Sequence, residues 1–174
     1  LPPPPPPPGV PSATPEAAIV MANQGKAILQ QSNPNFNEAL STAEEALKIA
    51  ANYGDAWVLK GDALRGLKRF NEALESFNKA VSLNVNDAAS LAKRGQVHLE
   101  LSQFNGAFQD LDRASKLNPA PPTIWILRGD SLVGLKRCAD AKESYQKARE
   151  RDPKGNFHLP ITDRENRLKE DCGK

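Results

Sequence analysis

Cysteine, histidine and aromatic residues are scarce in this chain. It has two cysteines and two histidines among 174 residues. Cys138 and Cys172 form no CxxC pair and stand beside no histidine, so we expect no structural zinc site. So few thiols also argue against a disulfide-stabilised scaffold, and we expect a reducing, cytoplasmic compartment. We interpret Cys138 as a buried structural thiol.

Long apolar runs and a surplus of one charge are missing too. No apolar stretch approaches the roughly 20 residues that cross a bilayer, so we expect no membrane-spanning segment. The 23 basic and 21 acidic residues give a net charge of +2, which lacks the basic excess of a dedicated nucleic-acid binder. RNA binding is a minor alternative, along a basic stretch with few aromatic residues to stack bases: Lys136, Arg137, Lys142, Lys147 and Arg149.

Motifs of catalysis or cofactor binding are also absent. The sequence contains no GxxxxGK[ST] or GxGxxG phosphate loop. His98 has no acid and cysteine in evident reach, and the acidic residues are scattered along helical surfaces rather than paired. We therefore expect a non-enzymatic protein that holds no metal and no cofactor.

Proline, in contrast, is abundant and unevenly placed. The chain has 15 prolines, and an unbroken run of them opens it: Pro2, Pro3, Pro4, Pro5, Pro6, Pro7 and Pro8. Such a run forms a polyproline II rod, here about 22 Å long. We expect residues 1–16 to be extended and to lie outside the folded core. The chain begins with Leu1 rather than Met, so we expect it to be a piece of a longer protein.

From residue 17 onward the sequence repeats itself with a period of 34 residues. The clearest column is Gly61, Gly95 and Gly129. The other columns at this spacing are Trp57, Leu91 and Trp125; Leu67, Leu101 and Leu135; Phe36, Phe70, Phe104 and Cys138; Ala39, Ala73, Ala107 and Ala141; Ala43, Phe77, Leu111 and Tyr145; and Ala46, Ala80, Ala114 and Ala148. The columns predict paired helices that cross at small residues and must stack to bury their apolar faces.

These columns resemble the tetratricopeptide repeat (TPR), a helix–turn–helix unit. The best matches are WVLKGDALRGLKRFNEALESFNKAVSL from Trp57 and WILRGDSLVGLKRCADAKESYQKARERDP from Trp125. The resemblance implies an all-α, right-handed α-solenoid of about three and a half to four units. The expected units are residues 17–53, which are divergent, and residues 54–87, 88–121 and 122–153. Arg149 and Arg151 replace apolar residues at the end of the last unit, and residues 154–174 are predicted to form a polar capping helix or tail.

The resemblance also implies where a ligand binds. In TPR proteins the first helices of the units line a concave groove, which takes a peptide or a helix of a partner. The lining positions carried over to this chain are Val58, Leu59, Asp62, Arg65, Ala92, Lys93, Gln96, Leu99, Ile126, Leu127 and Asp130. The predicted function is therefore a scaffold for protein–protein interactions.

One TPR subclass clamps the acidic tails of heat-shock chaperones. Its clamp consists of a lysine and an asparagine, then an asparagine, then a lysine and an arginine, over three successive units. Two registers of this chain supply Gln24 and Ile28, Leu59, Ala89 and Lys93; or Val58 and Asp62, Lys93, Thr123 and Leu127. Because Lys93 in the first register is the one compatible residue, we do not expect a chaperone tail as the ligand.

The proline run offers an alternative function. LPPPPPPPGVP resembles the proline-rich segments of actin-assembly proteins, which are ligands of profilin, SH3 and WW domains. A preformed rod loses little conformational entropy on binding. In this alternative the run is the working ligand, or docks on a TPR array, and the repeats are a structural or self-assembly carrier.

Overall fold

A computed structural model of the chain describes residues 15–117 and 120–172. In these ranges every regular element is an α-helix, as the repeat pattern predicts. Most of the predicted polyproline segment, including Pro2–Pro8, lies outside the described residues. The first helix begins at Pro15, two residues before the expected boundary, because the fixed φ of proline suits the first turn of a helix.

The chain divides into two compact units, Leu1–Leu83 and Asn84–Lys174. The first unit contains four helices: α1 (Pro15–Leu29), α2 (Phe36–Ile49), α3 (Gly54–Gly66) and α4 (Phe70–Leu83). Asn35 caps α2, since its side chain accepts a 3.2 Å hydrogen bond from the Glu38 amide. Small residues dominate the α1–α3 core, where Ala18, Ala22, Ala43, Ala46, Ala56 and Leu59 are buried together. Short side chains let these helices approach closely.

The second unit contains two further repeats and one additional helix. Its described helices are α5 (Ala88–Glu100), α6 (Phe104–Lys116), α7 (Pro122–Gly134), α8 (Cys138–Glu150) and α9 (His158–Cys172). Asp87 caps α5 by accepting hydrogen bonds from the Ala89 and Ser90 amides. α9 packs on α7 and α8, and buries Ile161 and Leu168 in the core of this unit. Its remaining described side chains are largely polar, which suits the outer face of a terminal helix.

The glycine column marks the crossing of the two helices of a repeat. A Cβ added to Gly129 would lie 2.3 Å from a ring carbon of Tyr145. Added to Gly61 or Gly95, it would lie 2.7 Å from Phe77 or Leu111, respectively. Each glycine therefore makes room for the large residue of the next helix, which explains why the two columns share one period.

Each of the last three repeats turns between its helices through a left-handed residue. Lys68, Ser102 and Lys136 have φ values of 60°, 56° and 59°. In the Ser102 turn the following amide, from Gln103, donates a 2.8 Å hydrogen bond to the His98 carbonyl. This bond satisfies a carbonyl that the end of the helix leaves free. The strain of a side chain at positive φ makes this turn a target for substitution.

The prediction about Cys138 is wrong. Cys138 is half-buried and disulfide-bonded, so it is not a buried free thiol. The Nε2 atom of His98 lies 3.8 Å from Asp110 Oδ2. Its Nδ1 lies 2.7 Å from Gln103 Oε1, and these two polar neighbours fit a structural role.

Candidate functional site

The first helices of successive repeats lie side by side within each unit. In the first unit α1 contacts α3, and Lys26 Nζ pairs with Asp55 Oδ2 at 2.6 Å. In the second unit α5 contacts α7. The predicted lining residues all belong to α3, α5 and α7, so each unit contains part of the predicted surface.

The α5 members of the predicted lining share one environment. Ala92, Lys93, Gln96 and Leu99 are all half-buried, whereas Leu91, Gly95 and Val97 on the same helix are buried. The spacing of three and four residues from 92 to 96 and 99 places the half-buried set on one face. On α7 Leu127 is half-buried in the same way. The face of this unit therefore combines aliphatic and polar side chains.

The α3 members follow the same rule in the first unit. Val58, Asp62 and Arg65 are half-buried and follow each other at helical spacing. Ala63 and Leu64 on the same helix are buried. The face offered by α3 is therefore more strongly charged than the α5 face.

Two predicted lining residues belong to the core instead. Leu59 is 1% exposed and Ile126 is 5% exposed. Leu59 lies against Gly25 of α1, where an added Cβ would come within 2.3 Å of its Cδ2. Ile126 belongs to the cluster that includes Trp125 and Leu132. Neither side chain can contact a ligand unless the core opens. We therefore remove both residues from the predicted lining.

Asp130 lies on α7, but α9 covers it. The Tyr145 hydroxyl donates a 2.9 Å hydrogen bond to Asp130 Oδ1. Arg164 Nε lies 2.7 Å from the same oxygen and 2.9 Å from the other. With Val133 and Leu168, these residues border a cleft of about 350 Å³. Asp130 therefore fixes the terminal helix.

Burial and neighbouring charges shift two pKa values in this cleft. The hydrogen bond to Asp130 raises the pKa of Arg164. Burial, followed by the Asp130 charge, raises the pKa of the Tyr145 phenol above its ordinary value. The sequence contains a signal that we did not use: Arg164 stands one 34-residue period after Asp130, so α9 takes the place of the next first helix.

Ion pairs between neighbouring repeats were also not predicted. Lys60 Nζ lies 3.0 Å from Glu44 Oε1, and Arg128 lies 2.9 Å from Asp112 Oδ1. Each pair joins the first helix of a repeat to the second helix of the repeat before it. The signal was the pair of cations Lys60 and Arg128, which stand two repeat periods apart.

These ion pairs shift the pKa of the Asp112 carboxyl group. Partial burial by itself raises the pKa of Asp112, but hydrogen bonds from Lys116 and Arg128 outweigh this effect and hold the pKa below its ordinary value. Arg94 and Asp110 form a comparable bidentate pair inside one repeat, at 2.6 and 2.7 Å. Both pairs join neighbouring helices.

Metal and membrane signatures are absent from the residues that the structure describes. No cluster of three or more His, Cys, Asp and Glu side chains there could hold a metal ion. None of the helices in residues 15–117 and 120–172 is long and apolar enough to span a bilayer.

Two family models match the sequence. Both are described as tetratricopeptide repeat, and they match residues 54–87 and 92–156, which together exceed half of the chain. No curated protein matches it.

Solved structures of TPR proteins have the same helical-repeat solenoid fold. The protein MamA (41-end) from Desulfovibrio magneticus RS-1 is 21% identical with a TM-score of 0.71, over 89% of this chain and 94% of that one. YrrB, a TPR protein with an unusual peptide-binding site, is 20% identical with a TM-score of 0.72, over 87% and 74%. The first TPR of Spaghetti (RPAP3), bound to the HSP90 peptide SRMEEVD, is 20% identical with a TM-score of 0.66, over 71% and 96%. At these identities the likeness shows the fold alone.

Proposed function

The chain belongs to the tetratricopeptide-repeat family, and on this basis we propose that it is a non-enzymatic scaffold that binds a peptide or helix of a partner protein along its first helices. One observation carries the proposal. Ala92, Lys93, Gln96 and Leu99 form a half-buried face on α5, and Leu127 continues it on the adjacent α7. A face of this composition offers both apolar contact and hydrogen bonds.

The chemistry of this α5/α7 face defines the expected ligand. Leu99 and Leu127 can each contact an apolar anchor of a peptide, and Lys93 and Gln96 can bond to its carbonyl or carboxylate oxygens. Asp130 is not counted among the contacts, since Arg164 and Tyr145 already occupy its oxygens. The preferred ligand therefore has spaced aliphatic residues with an acceptor group between them.

The experiment starts from peptides selected by display against the unsubstituted chain. Their affinities are then measured for Leu127→Arg and for Lys169→Gln, a control at an exposed lysine on α9. A desolvated arginine in an apolar contact should weaken binding about tenfold or more. The control should stay within about twofold of the parent affinity. Selected peptides that bind Leu127→Arg as tightly as the parent chain, with its helices intact by circular dichroism, would remove the α5/α7 face from the proposal.

We also propose that the ligand is not a carboxylate-clamped chaperone tail. The peptide SRMEEVD, which the Spaghetti structure contains, provides the test. Lys93 is the one compatible clamp residue, so Lys93→Ala should leave the affinity of this peptide unchanged. A large loss of affinity in Lys93→Ala, measured by calorimetry, would mean that a clamp does operate.

The proposed compartment is cytoplasmic and reducing, and the disulfide at Cys138 opposes it. Thiol labelling of the protein in freshly lysed cells decides between the two. Rapid labelling of Cys138 without a reductant supports the cytoplasmic proposal. Labelling that requires prior reduction contradicts it.

A further inference from the structure

Three cations of the second unit converge on one indole, away from the α5/α7 face. The guanidinium carbons of Arg151 and Arg128 lie 4.8 and 5.7 Å from the ring centre of Trp125. The ammonium of Lys147 lies 5.0 Å from the same point. Trp125 itself is only 7% exposed, so the cations form an outer layer over a buried ring. We name Trp125 with these three cations the Trp125 face.

The layer has more positive than negative charge. Arg128 pairs with Asp112 at 2.9 Å, and Lys147 pairs with Glu143 at 2.6 Å across an exposed helix surface. Arg151 is exposed, and no carboxylate among the described side chains lies within ion-pair distance of it. Among the described residues, its guanidinium makes one hydrogen bond, a 3.5 Å contact with the Lys147 carbonyl. Like charges held together in this way attract an anion.

The geometry suits carboxylates in particular. A guanidinium over an aromatic face keeps its N–H edge available for a bidentate carboxylate. Lys147 and Arg151 are one helical turn apart, which puts their Cβ atoms about 5–6 Å from each other. Alternate residues of an extended peptide are about 6.5–7 Å apart. Two acidic residues at alternate positions of an extended segment can therefore meet both cations.

The corresponding position in the first unit has a weaker form of this arrangement, since Lys60 lies 5.8 Å from the ring centre of Trp57 but pairs with Glu44 at 3.0 Å. Trp57 is half-buried there, and Lys79 occupies the column of Lys147. The column of Arg151 holds Leu83, which cannot bind an anion. The cleft beside Trp57 is also lined by two acidic residues, Glu72 and Glu75. The surplus of positive charge is thus greater beside Trp125 than beside Trp57.

We propose that the Trp125 face binds an extended acidic segment of a partner protein, with carboxylates on Arg151 and Lys147. A nucleic acid would fit less well, because Trp125 is buried beneath cations and Phe108, which Arg128 also covers, is itself half-buried, so neither ring presents an open face to a base. The Lys147–Glu143 pair does not block the site, since an exposed pair of this kind contributes little and can exchange.

The test uses the full chain with Trp57→Phe, which leaves Trp125 as the single tryptophan. A capped peptide of six glutamates is titrated while the emission of Trp125 is recorded. We expect a saturable change and an affinity that falls about tenfold in Arg151→Gln. Lys169→Gln, which also removes one positive charge, here from an exposed lysine of α9, should alter it by less than about twofold. In the unsubstituted chain the indole N–H resonance of Trp125 should shift on titration, which guards against damage by Trp57→Phe.

Three results would overturn the proposal. The first is no saturable change, in emission or in the indole resonance, with helicity intact. The second is an equal loss of affinity in Lys169→Gln, which would mean unspecific attraction between net charges. The third is tighter, Arg151-dependent binding of an oligouridylate of the same charge, which would make the face a phosphate-binding surface.

Discussion

Removing the guanidinium that joins α9 to Asp130 should loosen the end of the second unit. Arg164 makes two short bonds to Asp130, and the two side chains are 34% and 25% exposed. An exposed pair contributes up to about 1 kcal/mol, and breaking a buried pair costs about 3–5 kcal/mol. Because this pair is only partly buried, we expect Arg164→Gln to destabilise the second unit by about 1–2 kcal/mol.

The assay is urea unfolding followed by circular dichroism, combined with hydrogen exchange of α9. Arg167→Gln is the matched control, because Arg167 is an exposed arginine on the same helix, and it should cost less than about 0.5 kcal/mol. Faster exchange is expected within α9 and at the end of α7 that contains Asp130. Equal stabilities of Arg164→Gln and the control, or unchanged exchange in α9, would refute the role given to this pair.

Three further predictions concern the second unit. Gly129→Ala should cost about 1–3 kcal/mol in urea unfolding, since its Cβ would overlap Tyr145; Gly54→Ala, where nothing lies within 4 Å, is the control, and equal effects would contradict the close crossing. Burial and Asp130 raise the pKa of Tyr145, so its stabilising contribution is complete below pH 10.0 and is lost as the pH rises further. In a pH series of urea unfolding, the free energy of unfolding should fall less steeply above pH 10.0 for Tyr145→Phe than for the unsubstituted chain. Parallel curves would contradict this contribution of Tyr145. Ser102 has a φ of 56°, so Ser102→Gly should raise the free energy of unfolding by up to about 1 kcal/mol; a loss of stability would mean that the hydroxyl has an unrecognised role.

Repetition made the helices and their crossings predictable. Gly129 and Tyr145 appear in columns of fixed period, and a column of small residues opposite a column of large ones indicates two surfaces in contact. The same physics explains why the disulfide at Cys138 was missed, since that position follows a phenylalanine column and resembles a packing residue.

The candidate site was harder to predict than the fold. Val58 and Leu59 are adjacent on α3, yet one is half-buried and the other is buried. A turn of about 100° per residue separates their directions, and the sequence of one helix does not tell which direction its neighbour covers. Leu59 packs into the space beside Gly25, and it is therefore the buried residue of the two. We interpreted residues 154–174 as a capping helix or tail rather than a continuation of the repeat, and therefore did not predict that α9 covers Asp130.

The central claim is that the first helices of this TPR chain bind a partner peptide. Its most direct test is methyl NMR of the intact chain, titrated with a display-selected peptide. The methyl resonances of Leu99 and Leu127 should shift together and saturate, while those of Leu111, buried in the second-helix layer, should stay within the line width. Saturating binding that leaves Leu99 and Leu127 unmoved would contradict the claim.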